Sequence, residues 1–205
     1  MELSRPLSTV TPTLDGDVLA VLARSDVTFT TGQLHRILTR NSEEGIRKVL
    51  LRLVKQGVVQ SDRVGNAFIY RLNHDHLAAE YIIGLADLQG KLLKRIEDRL
   101  ESWRQQPEYA AIFGSAARGS MTADSDLDLL LVRPDDVDDT LWEAQVGDLA
   151  AEMTRWTGND TRPLEFTASE VAAHGRDEPV LDAVLDHGLT VAGRRSWLSE
   201  QLRKE

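Results

Sequence analysis

Gly114-Ser115-Ala116-Ala117-Arg118-Gly119, followed by Asp124-Ser125-Asp126-Leu127-Asp128-Leu129, is the stretch on which the reading of this chain turns. It lies between two short apolar runs, Tyr109-Ala110-Ala111-Ile112-Phe113 and Leu127 to Val132, each with the length and composition of a buried strand. Alternate residues of a strand face the same side, with Cα atoms about 6.5–7 Å apart, so Asp126 and Asp128 can aim their carboxylates at one point. Two adjacent carboxylates repel each other unless a proton or a divalent cation neutralises them. Oxygen-only donors with some waters retained suit Mg²⁺ or Mn²⁺. Glycine and serine directly after a strand let backbone approach a ligand closely, and N–H groups at the following helix start point toward an anion. Arg118, one turn further on, is placed for a phosphate or for an acidic neighbour. The phosphate loop G-x-x-x-x-G-K-[ST] is a different device, since its lysine is absent here.

Downstream of this segment, helix and strand alternate. Residues 139–156 read as an amphipathic helix through Leu141, Trp142, Val146, Leu149 and Met153. Pro163 to Thr167 reads as a strand, with short helices near 168–174 and 178–187 and a last strand from Leu189 to Ala192. That order predicts a small mixed sheet covered by helices. Asp135, Asp136, Asp138 and Asp139 read as a solvated loop and helix start.

Upstream, Leu77, Tyr81, Leu85, Leu88, Leu92, Ile96, Leu100 and Trp103 recur three or four residues apart and predict one long helix over 77–105, stopped by Pro107. Its apolar stripe must be buried, either against its own domains or in a homodimer seam. Before it, the first twelve residues read as a frayed tail. Leu14, Val18, Leu19 and Leu22 predict a first helix, and Leu34, Ile37 and Leu38 a second, capped by Thr30 or Thr31. A third, opened by Ser42-Glu43-Glu44, carries Ile46, Val49, Leu50 and Leu53 on one face and ends at Gly57. Val58–Ser61 and Ala67–Arg71 then read as strands joined by Gly65-Asn66.

Three helices followed by a β-hairpin is the order of a winged helix-turn-helix, and residues 13–73 resemble that superfamily. The resemblance implies that the third helix enters the major groove of double-stranded DNA while the hairpin touches the backbone. Arg36, Arg40, Arg47, Lys48, Arg52, Lys55 and Arg63 would meet phosphates, and Ser42 would face bases at the helix start. The alternative for these charges is an ordinary solubilising surface, because residues 1–75 carry a net charge of only +2.

The pattern G-S-x-x-R-G with S-D-x-D-L a few residues later resembles the nucleotidyltransferase superfamily that includes DNA polymerase beta, and within it the minimal nucleotidyltransferase domains. The resemblance covers residues 108–193. It implies that Gly114, Ser115 and Arg118 hold a nucleoside triphosphate, and that Asp126 and Asp128 hold catalytic Mg²⁺ or Mn²⁺. It also implies a third carboxylate on a neighbouring strand, for which Glu165 is the first choice and Asp160 the second. The expected fold is therefore α+β, with a winged-helix domain at 1–75, a connector helix at 76–107 and a nucleotidyltransferase domain at 108–205. The expected activity is transfer of NMP from an NTP to an unknown acceptor, whether protein, tRNA or small molecule. The competing expectations are a transcriptional regulator that uses the domain as a nucleotide sensor, and a component of a toxin–antitoxin pair.

Composition limits the remaining classes. Residues 76–205 carry a net charge of −11, against −9 for the whole chain, so the two halves are suited to different partners. There is no cysteine, which removes disulfides and thiolate metal sites. No apolar run reaches the roughly 20 residues of a bilayer-spanning helix, and Met1 to Leu14 lacks the pattern of a signal peptide, so a cytoplasmic location and no membrane partner are expected.

Overall fold

The structure is a computed structural model that describes residues 1–203, apart from the side chains of His174 and Arg176. The chain divides into two compact units, residues 5–89 and residues 1–4 together with 90–205.

In the first unit, α1 (Leu14–Ala23), α2 (Thr31–Ile37) and α3 (Glu43–Lys55) precede the hairpin β2 (Val59–Val64) and β3 (Ala67–Leu72). A two-residue strand β1 (Phe29–Thr30) joins the hairpin, in the order β1-β3-β2, with both pairings antiparallel. The local chemistry explains the boundaries. Thr30 and Gln33 form a reciprocal capping box at α2, and the Ser42 hydroxyl accepts from the Gly45 N–H at α3. Val64 faces Ala67 across the turn Gly65-Asn66, with Gly65 at φ +60°. That short turn needs a positive φ. Val18, Leu22, Leu34, Ile46, Leu50 and Leu53 close on Tyr70 and Leu72 to form the core.

Where periodicity predicts one helix over 77–105, the structure has two, α4 (Ala79–Ala86) and α5 (Leu88–Glu101), separated at Asp87 (φ −99°, ψ 20°). The expected stripe also fails at its start, where Leu77 is 90% exposed and Tyr81 67%, while Leu85 packs inward as expected. Ala79, Ile82, Ile83 and Ala86 turn inward instead. The segment Ala79-Glu80-Tyr81-Ile82-Ile83-Gly84-Leu85-Ala86 is apolar on more than one face, so spacing alone could not choose between stripes. The second half keeps its phase, with Leu92, Ile96 and Leu100 buried.

The first residues are not frayed either. Residues Pro6–Thr9 form a 3₁₀ turn with Leu7 buried, and Leu3 sits in the core of the second unit at 1% exposure. Leu3 and Leu7 bury enough apolar surface to hold a segment whose prolines and serines alone read as a tail.

The second unit is built on a mixed sheet of β4 (Tyr109–Ile112), β5 (Leu127–Arg133), β6 (Thr161–Thr167) and β7 (Leu189–Ala192), ordered β6-β5-β4-β7. β5 runs parallel to β6 and antiparallel to β4, and β4 pairs antiparallel with β7. A parallel pair needs a crossover, which α7 (Asp139–Thr157) supplies. Asp138 caps it, its carboxylate accepting from the Leu141 N–H, so the acidic run does start a helix. The two central strands, β4 and β5, each serve two cores. Leu127, Leu129 and Leu131 pack with α5 and α7 through Leu92, Ile96, Trp142 and Leu149. Leu130 and Val132 pack on the opposite face with Val171, Leu181 and Leu198 from α8 (Ala168–His174), α9 (Pro179–His187) and α10 (Arg195–Gln201). Among the described residues no helix is long and apolar enough to cross a membrane.

Candidate functional site

Asp126 ends the loop that leads into β5, and Asp128 is the second residue of that strand. Leu127 and Leu129 between and after them are fully buried on the α5–α7 side. By alternation the two aspartates face the other side, the face that carries Leu130 and Val132 further along β5. They are close enough to feel each other. The Asp128 carboxyl is held above the ordinary carboxylate pKa, first by burial and then by the charge of Asp126, while Arg162 and Arg118 pull it down.

β4 ends at Ile112, and Phe113 leads into the single helical turn α6 (Gly114–Ala117). Gly114 adopts φ +66°, and a Cβ placed on it would lie 2.1 Å from Asp128 Oδ2. The glycine is required twice over, for a left-handed backbone and for the carboxylate that occupies its side-chain space. Ser115 is partly exposed on the same turn, and Arg118, exposed, closes it with its N–H on the Gly114 carbonyl. The structure therefore brings together Gly114, Asp126, Asp128 and Arg118.

Glu165 does not join them. Asp128 pairs with Arg162 and Leu131 with Glu165, so Glu165 lies on the α7 side of the sheet. There its carboxylate accepts from the Trp142 indole N–H at 2.5 Å. Two strand positions must differ by an even number to share a face, and 165 has the wrong parity against 162, the partner of Asp128. Asp160 is no substitute: it is exposed, and its carboxylate faces the Arg162 Nε at 3.5 Å. Among the described residues no group of three or more acidic or histidine side chains is gathered for a metal. The place on β6 that faces the aspartates holds Arg162, whose guanidinium lies 2.9 Å from Asp126 Oδ2.

A second residue that sequence reasoning missed is Asn159, 2% exposed in the turn between α7 and β6. Its amide donates to the carbonyls of Ala123 at 3.0 Å and Ser125 at 2.8 Å, and more weakly to that of Thr122 at 3.4 Å. The adjacent Asp160 carbonyl accepts from the Leu127 N–H at 2.8 Å. Asn159 thus fixes the loop that delivers Asp126. The signal was present in Thr157-Gly158-Asn159: a left-handed glycine (φ +75°) stops α7 and turns the asparagine inward.

On the first unit, the eight residues proposed for DNA have unequal freedom. Arg47 forms a two-pronged bond with Glu44, 2.8 Å on each arm, and Lys48 lies 3.8 Å from the same carboxylate. Arg52 is bonded to Asp15. Ser42 spends its hydroxyl on the helix cap. Arg36 and Arg63 are exposed and donate to the carbonyls of Gly32 and Gly65. Arg40 and Lys55 are exposed at the two ends of α3's surroundings.

Residues 92–167, a little over a third of the chain, match the family described as nucleotidyltransferase domain. Among solved structures, the chain is similar to one described as a toxin–antitoxin with AMP-PNP, at 17% identity and a TM-score of 0.39, covering 54% of this chain and 80% of that one. It is also similar to one described as a tri-AMPylated Shewanella oneidensis HEPN toxin in complex with an MNT antitoxin, at 16% identity and a TM-score of 0.38, covering 56% and 81%. No curated protein matches the chain.

Proposed function

We propose that the unit containing residues 90–205 binds a nucleoside triphosphate at the turn Gly114–Arg118 and transfers its nucleotidyl group to an acceptor, with Asp126 and Asp128 as the holders of a divalent cation. The observation that carries this reading is the contact of Asp128 with Gly114: a carboxylate oxygen fills the side-chain space of the residue that opens the turn after β4. The donor set fits the ion. Two carboxylates share one side of β5, and the burial and repulsion that push up Asp128 are relieved when a positive ion joins them. Mg²⁺ or Mn²⁺, with water in its other positions, would screen the phosphate charge and acidify the acceptor hydroxyl.

The chain's own share is binding and orientation. Ser115 offers a hydroxyl to a phosphate oxygen, and Arg118 a charged donor. The acceptor oxygen attacks the α-phosphorus, forming a new P–O bond. The bond from that phosphorus to the bridging oxygen breaks, pyrophosphate leaves, and the hydroxyl proton passes to water. The test is incubation of the purified protein with α-labelled NTPs, Mg²⁺ and a panel of proteins, tRNA and small hydroxyl compounds. Label should move to one acceptor and be lost with Asp128→Asn. Absence of transfer throughout the panel, with no nucleotide binding, sinks the proposal.

Arg162 favours a second reading, because a cation stands where a third carboxylate would assist turnover. In that reading the site senses nucleotide and the 5–89 unit, as a winged helix, binds double-stranded DNA. Support comes from the order of three helices and a hairpin, with Arg36, Arg40, Lys55 and Arg63 exposed. Duplex affinity measured against salt separates the cases. Each phosphate-contacting residue contributes about one unit to the slope of log K on log salt. A slope near zero removes DNA from the account.

A further inference from the structure

The aspartate pair already has a cation beside it. Arg162 is the in-register partner of Asp128 on β6, on the same side of the sheet. Its guanidinium bonds Asp126 Oδ2 at 2.9 Å, touches Asp160 only at 3.5 Å, and leaves the side chain 64% exposed. Arg162 also lowers the proton affinity of Asp128, so its charge is felt by both carboxylates. An arginine here cannot ligate a metal, and it competes with one for the same oxygen.

We infer that Arg162 is the resident counter-cation of Asp126 and couples the two ligands of the site: a divalent ion displaces the guanidinium, and the guanidinium so released takes a phosphate of the triphosphate. This inference rests on reading the pair as a cation site. The exchange is easy, because an exposed ion pair holds its partners weakly. It is also reciprocal. Whatever anion draws Arg162 away strengthens cation binding by the same factor as the cation strengthens anion binding. The residue thereby biases the site toward taking metal and polyphosphate together over metal alone.

The test uses the full chain and two separate probes. Free Mn²⁺ is titrated by its paramagnetic resonance signal without any nucleotide, and inorganic tripolyphosphate is titrated by calorimetry in the presence of a chelator. Arg162→Gln should bind Mn²⁺ about fivefold more tightly than the native protein, the scale of an exposed ion pair. It should bind tripolyphosphate several-fold more weakly. Arg162→Ala is the second variant, with the same two changes expected. Mn²⁺ affinity that is unchanged or lower in both variants overturns the inference, and so does unchanged affinity for tripolyphosphate. If the native protein binds Mn²⁺, loses it with Asp128→Asn, and is indifferent to residue 162, the inference alone fails. If neither native protein nor variants show an Asp128-dependent Mn²⁺ site, the cation reading of the pair fails with it.

Discussion

Replacing Gly114 by alanine tests the site through a single methyl group. Two costs are separable. A non-glycine residue at φ +66° carries about 1–2 kcal/mol of backbone strain. The new Cβ would also stand 2.1 Å from Asp128 Oδ2, whereas ordinary contact begins near 3.4 Å, so the carboxylate must retreat by about 1.3 Å. Retreat is cheap for stability, since the obstructed atom is the end of a rotatable side chain. It is expensive for function, because a misplacement of about 1 Å can cost roughly 10²-fold in rate. Gly158→Ala is the matched control: its φ is +75° and nothing lies within 4 Å of the added Cβ. Both variants should lose about 1–2 kcal/mol in urea denaturation. Only Gly114→Ala should lose about 100-fold in label transfer, with Mn²⁺ affinity falling alongside. Equal activity in the two variants would refute the placement of Asp128 against the turn.

Three further outcomes follow from the same geometry. Asp128→Asn should raise the melting temperature at neutral pH in the presence of a chelator. The folded-state pKa is raised, so Asp128 favours the fold at low pH, and that contribution is lost as pH climbs from the ordinary value near about 4 through the raised one. The neutral variant escapes this loss, and the two melting curves should converge in acid. Asn159→Ala deprives the Ala123 and Ser125 carbonyls of their donor and should cost about 1–3 kcal/mol by chemical denaturation. A loss below a few tenths would show that the loop holds itself. Glu165→Gln retains an acceptor for the Trp142 indole and should leave transfer within about twofold of native, as suits a side chain that no longer has to be charged. A drop of about 10²-fold or more would restore Glu165 to the reacting centre.

Much of the candidate site's local geometry was legible because its determinants are local. The spacing of Asp126 and Asp128 at the head of one strand, and a glycine at the strand-to-helix corner, need no knowledge of what packs where. Glu165 was misread because its face depends on which residue of β6 lies opposite Asp128, and that register is set by the crossover through α7, not by the strand itself. Arg162 and Asn159 went unnoticed for the same reason: their partners are 36 and 34 residues away in sequence, at Asp126 and Ser125. The punctuation of the first unit was readable, from the threonine cap at residue 30 or 31, which falls on Thr30, to Gly65-Asn66. The helix over 77–105 was not, because a segment apolar on several sides gives periodicity no purchase, and Gly84 and Gly90 weaken the helix on either side of Asp87 without marking where it breaks.

The burial of Leu3 has a consequence for how the protein can be dissected. Residues 1–4 belong to the same compact body as residues 90–205, so in topological terms the 5–89 segment is inserted into its neighbour, not appended to it. A fragment cut at residue 90 would therefore be missing a wedge of its own interior. An isolated second unit should be made either with Met1-Glu2-Leu3-Ser4 rejoined by a short linker, or with the socket of Leu3 filled by redesign.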